Sequence, residues 1–204
     1  IQMFQRIQNM ETQLDLQNVR LIADLNTTTH QAELKPRYTW LPRALFYDDI
    51  KAYPSDEAIL HDLNAGVLNY HHTLAVLASD YGNAVQRHVF NPLHEPARVA
   101  LTRISPECIR IHYTVSRPGV IFVSQSFYPG WEAVDRVGKS HQILRAFIAF
   151  TGVVIPTAGT GEVTLRFRPM SFRIGVAVSV AAALALVVFY SFLHRRERRA
   201  LRDI

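Results

Sequence analysis

Glu107-Cys108-Ile109-Arg110-Ile111-His112-Tyr113-Thr114-Val115-Ser116 decides the fold class of this chain. Ile109, Ile111, Tyr113 and Val115 alternate with Cys108, Arg110, His112 and Thr114, a period of two that lines one face of a half-buried strand with apolar side chains. Arg117-Pro118-Gly119 follows as a turn, and Val120 to Val123 is apolar without a break, as a strand covered on both faces is. Further on, Glu162 to Arg168 alternates again, with Val163, Leu165 and Phe167 on one side, and Pro169 ends the pattern. Short strands at this spacing from Ala97 to Arg168 indicate an antiparallel β-sandwich or jelly roll.

The part before Ala97 is mixed. Met3, Ile7, Met10 and Leu14 have the spacing of one face of a short helix within a polar, Gln-rich start. Asn18 to Ala23 reads as a strand, Asn26 to Thr29 as a turn, and Pro36 to Tyr47 as extended chain. Ser55 is placed as an N-cap, with Asp56 and Glu57 in the first turn and Gly66 as the stop of a helix. Leu74 to Ala78 is a short apolar strand, and Tyr81 to Pro96 is loop-like, broken at Asn91-Pro92 and Glu95-Pro96. The expected class is therefore α+β, mainly β.

Outward to the C-terminus, Ile174 to Leu193 carries no charge, and at 1.5 Å per residue such a run makes roughly 30 Å of helix, the thickness of a bilayer's hydrocarbon core. Arg173 stands alone before it, whereas Arg195, Arg196, Arg198 and Arg199 crowd the other end as residues for the membrane interface. By the positive-inside rule the tail is cytoplasmic and residues 1–172 lie outside a cell membrane. Within the run, Gly175, Ser179 and Ala183 recur every four residues, a stripe along which a partner helix can approach.

The charge distribution removes a nucleic-acid reading. The chain is +5 overall, but residues 194–204 hold five Arg against Glu197 and Asp203, and Arg173 adds one more positive charge. That leaves +1 for residues 1–172, so the basicity belongs to the membrane surface. The single cysteine, Cys108, cannot form an internal disulfide, and an exported domain must then rest on its core. No leader follows Ile1, so export is expected to come from preceding segments of a longer protein. The expected division is a small α/β extracytoplasmic part over 1–96, a β-sandwich over 97–170, a transmembrane helix over 171–194 and a basic tail over 195–204.

Candidate chemistry is sparse. His71 and His72 are adjacent, and neighbours on an extended segment face opposite ways, so with His61 they make no ligand set; no metal or cofactor is expected. Asp48-Asp49 fails as an acid/base pair for the same reason, since two carboxylates must face one gap. A Gly-x-Ser-x-Gly elbow is absent from the sequence. Tyr128 and Trp131 have flat apolar rings that suit a sugar, which makes them the glycan-binding candidates, although a Trp that begins a sandwich strand also serves as a core anchor.

Several segments together resemble the C-terminal end of the YfhO family of bacterial multi-pass membrane proteins. They are Ser126-Phe127-Tyr128-Pro129-Gly130-Trp131-Glu132-Ala133, Leu144-Arg145-Ala146-Phe147, Val154-Ile155-Pro156, and Val163 to Pro169 running into Ser171-Phe172-Arg173-Ile174-Gly175. Leu16 to Ile22 and Leu41 to Phe46 are similar to earlier strands of that family, so the likeness extends over about Leu14 to Leu193. One departure is Asp135-Arg136-Val137-Gly138-Lys139, where the family has an Asp-Gly hairpin. The resemblance implies a GT-C-like glycosyltransferase that uses polyprenyl-phosphate sugars, whose catalytic acid lies in an earlier membrane half. No residue of this chain matches it, so no catalytic residue is expected here. The implied partners are the lipid bilayer, upstream transmembrane helices, and a polyprenyl-linked sugar or envelope glycan. The other class of function is a non-catalytic, membrane-anchored β module that binds glycan or an envelope protein.

Overall fold

A computed structural model describes residues 7–26, 31–81 and 97–200, apart from the side chains of some helix and strand residues. In chain order the elements are α1 (Met10–Leu16), β1 (Leu21–Asn26), β2 (Gln31–Pro36), β3 (Ala44–Tyr47), β4 (Asp49–Tyr53), α2 (Asp56–Asn64), β5 (Thr73–Leu77) and α3 (Ala78–Tyr81). There follow β6 (Arg98–Ser105), β7 (Cys108–Val115), β8 (Gly119–Ser126), β9 (Trp131–Asp135), β10 (Ser140–His141), β11 (Ile143–Ala146), β12 (Phe150–Ile155), β13 (Gly159–Phe167) and α4 (Met170–Ala200). Two compact units result, Ile1–Phe167 and Arg168–Ile204.

The first unit is mainly β. A six-stranded sheet runs β3-β8-β12-β11-β5-β4, a five-stranded antiparallel sheet runs β10-β9-β13-β7-β6, and β1 with β2 forms a ribbon. Between the two larger sheets lies one core, in which Ile109 and Ile111 of β7 and Val163 and Leu165 of β13 meet Ile121, Val123, Val153 and Ile155 of β8 and β12. On the other face of the six-stranded sheet, Val120, Phe122, Phe150 and Val154 meet Leu16 of α1 and Ile59, Leu60 and Leu63 of α2. Covered on both faces, β8 and β12 are buried almost continuously, whereas β7 alternates.

The expected division at residue 96 falls between strands of one sheet. β3, β4 and β5 come from before it and β8, β11 and β12 from after it. Backbone pairing of β3 with β8 and of β5 with β11 ties the two stretches together. The β4-β5 pair is parallel, so its connection must cross the sheet, and α2 is that crossover.

α2 has the ends its sequence predicts. The Ser55 hydroxyl accepts from Ala58 N–H, and Gly66 at φ +69° takes the left-handed position after the helix. There Gly66 N–H reaches Leu63 O and Val67 N–H reaches Asp62 O, which satisfies two last-turn carbonyls. The first helix differs from its expected position. Asn9 caps it by accepting from Thr12 N–H, so it begins at Met10; Ile7 packs into the core ahead of it, and Met10 is exposed. Met3, the loop expected over Tyr81–Pro96 from residue 82 onward, and the turn residues after Asn26 lie outside the described residues.

The turn over residues 135–139 joins β9 to β10. The Asp135 carboxylate accepts from Val137 N–H and Lys139 N–H at 3.0 and 2.8 Å, and Gly138 sits at φ +87°. Gly138 N–H also reaches Asp135 O, the pattern of a type I turn closed by a glycine bulge.

The second unit is a helix. Within α4, the window Met170–Val187 is long and apolar enough to cross a membrane, and none of it is buried. The Ser179 hydroxyl donates to Gly175 O at 2.9 Å, so this polar group on the small-residue stripe is satisfied inside its own helix.

Candidate functional site

Trp131 opens β9 with the parity of buried Ala133, half-buried against the core between the sheets. Its ring lies 5.2 Å from Phe167, tilted by 46°, and Tyr128 meets the same Phe167 at 6.1 Å and 63°. Three rings thus share one end of β13 without forming a flat platform. Tyr128, 63% exposed, presents its ring to solvent.

Asp48 and Asp49 turn to different partners. Asp48 forms a salt bridge with Arg117, and Asp49 accepts from the Thr73 hydroxyl at 2.6 Å. His61 lies 3.2 Å from Asp62, and His71 stacks on Tyr70 at 4.6 Å. Among the described residues no three metal-binding side chains converge. The interface arginines Arg173, Arg195, Arg196, Arg198 and Arg199 have their backbone in α4, and their side chains lie outside the described residues.

A groove that the sequence reading missed lies over the opposite end of the five-stranded sheet. Arg98 of β6, His112 and Thr114 of β7, Thr160 and Glu162 of β13, and Arg136 of the turn after β9 line a volume of about 560 Å³. β-register builds it: His112 pairs with Ala100 on one side and Glu162 on the other, and Thr114 pairs with Arg98 and Thr160. His112 and Glu162 have the parity opposite to Ile111 and Val163, so they belong to the sheet's solvent face.

Glu162 is the hub of this groove. Arg136 Nη2 donates to it at 2.7 Å, His112 Nδ1 lies at 3.2 Å and Arg110 Nε at 3.5 Å. The bond from Arg136 holds the Glu162 carboxyl below the usual carboxylate range. Thr114 and Thr160 hydroxyls bond each other at 3.1 Å. On the core side of the turn, His141 Nδ1 lies 3.1 Å from Val154 O, and its Nε2 faces Asp135 at 3.7 Å.

A second polar cluster is structural. Asp15, only 1% exposed, accepts from Arg37, from the Thr39 hydroxyl at 2.8 Å and from the Tyr70 hydroxyl at 2.8 Å. Arg37 also donates to Glu11. It joins α1 to the segment after β2 and to the approach to β5.

No family model matches this chain, and no curated protein does. Solved structures of arabinofuranosyltransferase AftD from Mycobacteria, a mutant among them, share 27% identity over 34% of this chain at a TM-score of 0.31. This chain spans 5–6% of their length. So short and loose an overlap assigns neither fold nor activity here.

Proposed function

We propose that this chain is the outer accessory module and closing transmembrane helix of a YfhO-like, GT-C-type glycosyltransferase that modifies cell-envelope glycan with polyprenyl-phosphate sugars. The observation that carries the reading is the pairing of two features. A β module closes two hydrophobic cores on itself, and it runs directly into a helix whose 18-residue apolar window has no protein cover. A self-sufficient outer module needs no such helix for its own stability; a membrane does. The segments that resemble the family fall on strands and turns of this module: Tyr128 to Trp131 leads into β9, Leu144 to Phe147 covers most of β11 and its turn, and Val163 to Phe167 is the second half of β13.

In this reading the module positions an acceptor glycan and leaves the chemistry to upstream helices. A polyprenyl-linked donor needs its phosphate neutralised at the bilayer surface and an acid or base within reach of the reacting oxygen. Asp48 and Asp49, each engaged with its own partner, offer no convergent pair for that step.

Two measurements test the proposal. In the full-length protein with Cys108→Ser, a cysteine replacing Ser140 should react with an impermeant thiol reagent on intact cells, and one replacing Ala200 only after permeabilisation. The reverse pattern overturns the orientation. Full-length protein in lipid should transfer sugar from a polyprenyl-phosphate donor to envelope acceptors, and the 204 residues alone should not. Turnover by the 204 residues that disappears in Asp48→Asn or Asp49→Asn moves the catalytic centre into this chain and refutes the accessory role.

A further inference from the structure

We infer that the groove at the His112–Glu162 end of the five-stranded sheet binds an acidic saccharide, with Arg98 and Arg136 holding its carboxylate. That the carboxylate is carried on a saccharide rests on the proposed envelope function; that the groove selects an anion rests on its own charges.

Residues 1–172 carry a net charge of only +1, yet this sheet face holds Arg98, Arg110, Arg136 and His112 against two carboxylates, Glu162 and Asp135, and Asp135 is turned into its own loop by Val137 and Lys139 N–H. The single negative charge of Glu162 is already shared among Arg136, Arg110 and His112. Arg98 has no ion-pair partner among the described residues. Arg136 commits Nη2 to Glu162, while its side chain remains 69% exposed, so other N–H groups point to solvent from an anchored guanidinium. Each of these guanidinium groups on the groove carries the forked N–H pair that a planar carboxylate accepts.

Shape and lining narrow the ligand. A volume of about 560 Å³ is in the range of small-ligand sites, and the groove is open to solvent along its length. The floor offers the Thr114 and Thr160 hydroxyls and the His112 imidazole, groups that both donate and accept, as sugar hydroxyls do. Ring stacking is not available, because the aromatic residue of the lining, Tyr113, turns to the core side. It fills the space beside Gly161, where a Cβ would stand 2.4 Å from its hydroxyl. Recognition here must come from charge and hydrogen bonds.

Titration of the full chain in non-ionic detergent tests this, with trigalacturonic acid, neutral maltotriose, inorganic phosphate and phosphatidylglycerol vesicles as probes. Trigalacturonic acid should bind at least tenfold more tightly than maltotriose or phosphate, and less tightly as salt rises. Arg98→Ala and Arg136→Ala should each weaken it about fivefold or more without lowering the melting temperature. Arg98→Lys, which keeps the charge and loses the fork, should fall between wild type and Arg98→Ala. Equal affinity for the two sugars, or undiminished binding in both alanine variants, overturns the proposal. Phosphate binding as tight as trigalacturonic acid overturns the saccharide assignment. Adsorption to vesicles that requires Arg98, without sugar binding, makes this a membrane-docking face and overturns it too. Failure of the titration while the full-length protein still transfers sugar removes the groove alone. Saccharide binding by a full-length protein with no transfer activity removes the glycosyltransferase reading and leaves the groove.

Discussion

Replacing Asp15 with Ala tests whether the first unit is tied together by a buried ion pair. Asp15 is 1% exposed and Arg37 only 7%, so neither charge is well solvated. Removing the carboxylate leaves the Arg37 guanidinium with the exposed Glu11 as its remaining ionic partner and the Thr39 hydroxyl as a neutral one, and it takes from the Thr39 and Tyr70 hydroxyls their carboxylate acceptor. Breaking a buried pair from one side costs about 3–5 kcal/mol. For a domain of this size each kcal/mol lowers the melting temperature by roughly 2–4 °C, so a fall of roughly 6–20 °C is expected. The assay is thermal unfolding of the full chain in non-ionic detergent, followed by the fluorescence of Trp40 and Trp131. Asp15→Asn keeps an acceptor oxygen and should lose less than Asp15→Ala. In the double variant Asp15→Ala with Arg37→Ala the two losses should not add, because one interaction is being removed twice. A loss under about 1 kcal/mol for Asp15→Ala, or full additivity, refutes the idea that this pair holds α1 to the sheet.

Gly119 begins β8 where a Cβ would stand 2.4 Å from Tyr47 O and 2.4 Å from the Phe46 ring, so Gly119→Ala must push backbone aside. It should cost about 1–3 kcal/mol by thermal unfolding, and an unchanged melting temperature would refute the close approach of β3 to β8. The pH dependence of stability has a predicted sign at each end. Burial, with the Asp15 carboxylate next, raises the Tyr70 hydroxyl to about 12, above its unfolded value, so its contribution is complete below pH 10 and is lost as pH rises from 10 to about 12. Lys51, then the Tyr53 hydroxyl, lower the Asp62 carboxyl, so its contribution is present above its unfolded value near 4 and is lost as pH falls through its lower folded value. Denaturant midpoints across pH should show both limbs; Tyr70→Phe should reduce the alkaline one, which Tyr53 and Tyr113 share, and Asp62→Asn the acid one, which Glu162 and Asp135 share.

The sequence made local features legible and left nonlocal ones hidden. Alternation at Ile109 to Val115 and at Val163 to Phe167 marks strands with one open face, and the unbroken Val120 to Val123 marks a strand covered twice, because burial acts on each residue of a strand directly. The ends of α2 were legible for the same reason: a cap is a contact within a few residues. Joining β3 and β5 to strands seventy or more residues later depends on backbone pairing, which no side-chain pattern near Ala44 or Leu74 announces. The groove escaped similarly. Arg98, His112, Arg136 and Glu162 are ordinary solvent-face residues along their own strands and turn, and β-register alone brings them together. Asp15 and Arg37 are likewise separated by a ribbon, with no motif between them.

The two candidate binding positions sit on one strand and can be separated. Phe167, which contacts Trp131 and Tyr128, and Glu162, which organises the groove, are five residues apart on β13, and at about 3.3 Å per residue that is roughly 17 Å. Trp131 also has core parity, while Glu162 faces solvent, so the strand lies between them. Sites so far apart with no shared partner should act additively. Trp131→Ala removes a half-buried indole, about half the 3–5 kcal/mol of a fully buried aromatic, and should lower the melting temperature by roughly 3–10 °C while leaving the affinity for trigalacturonic acid unchanged. Arg98→Ala should do the opposite, weakening the sugar and sparing the melting temperature. The double variant should show both effects in full. If Trp131→Ala melts normally and loses the sugar, the aromatic end of β13 is the binding site, and the indole serves a ligand rather than the core.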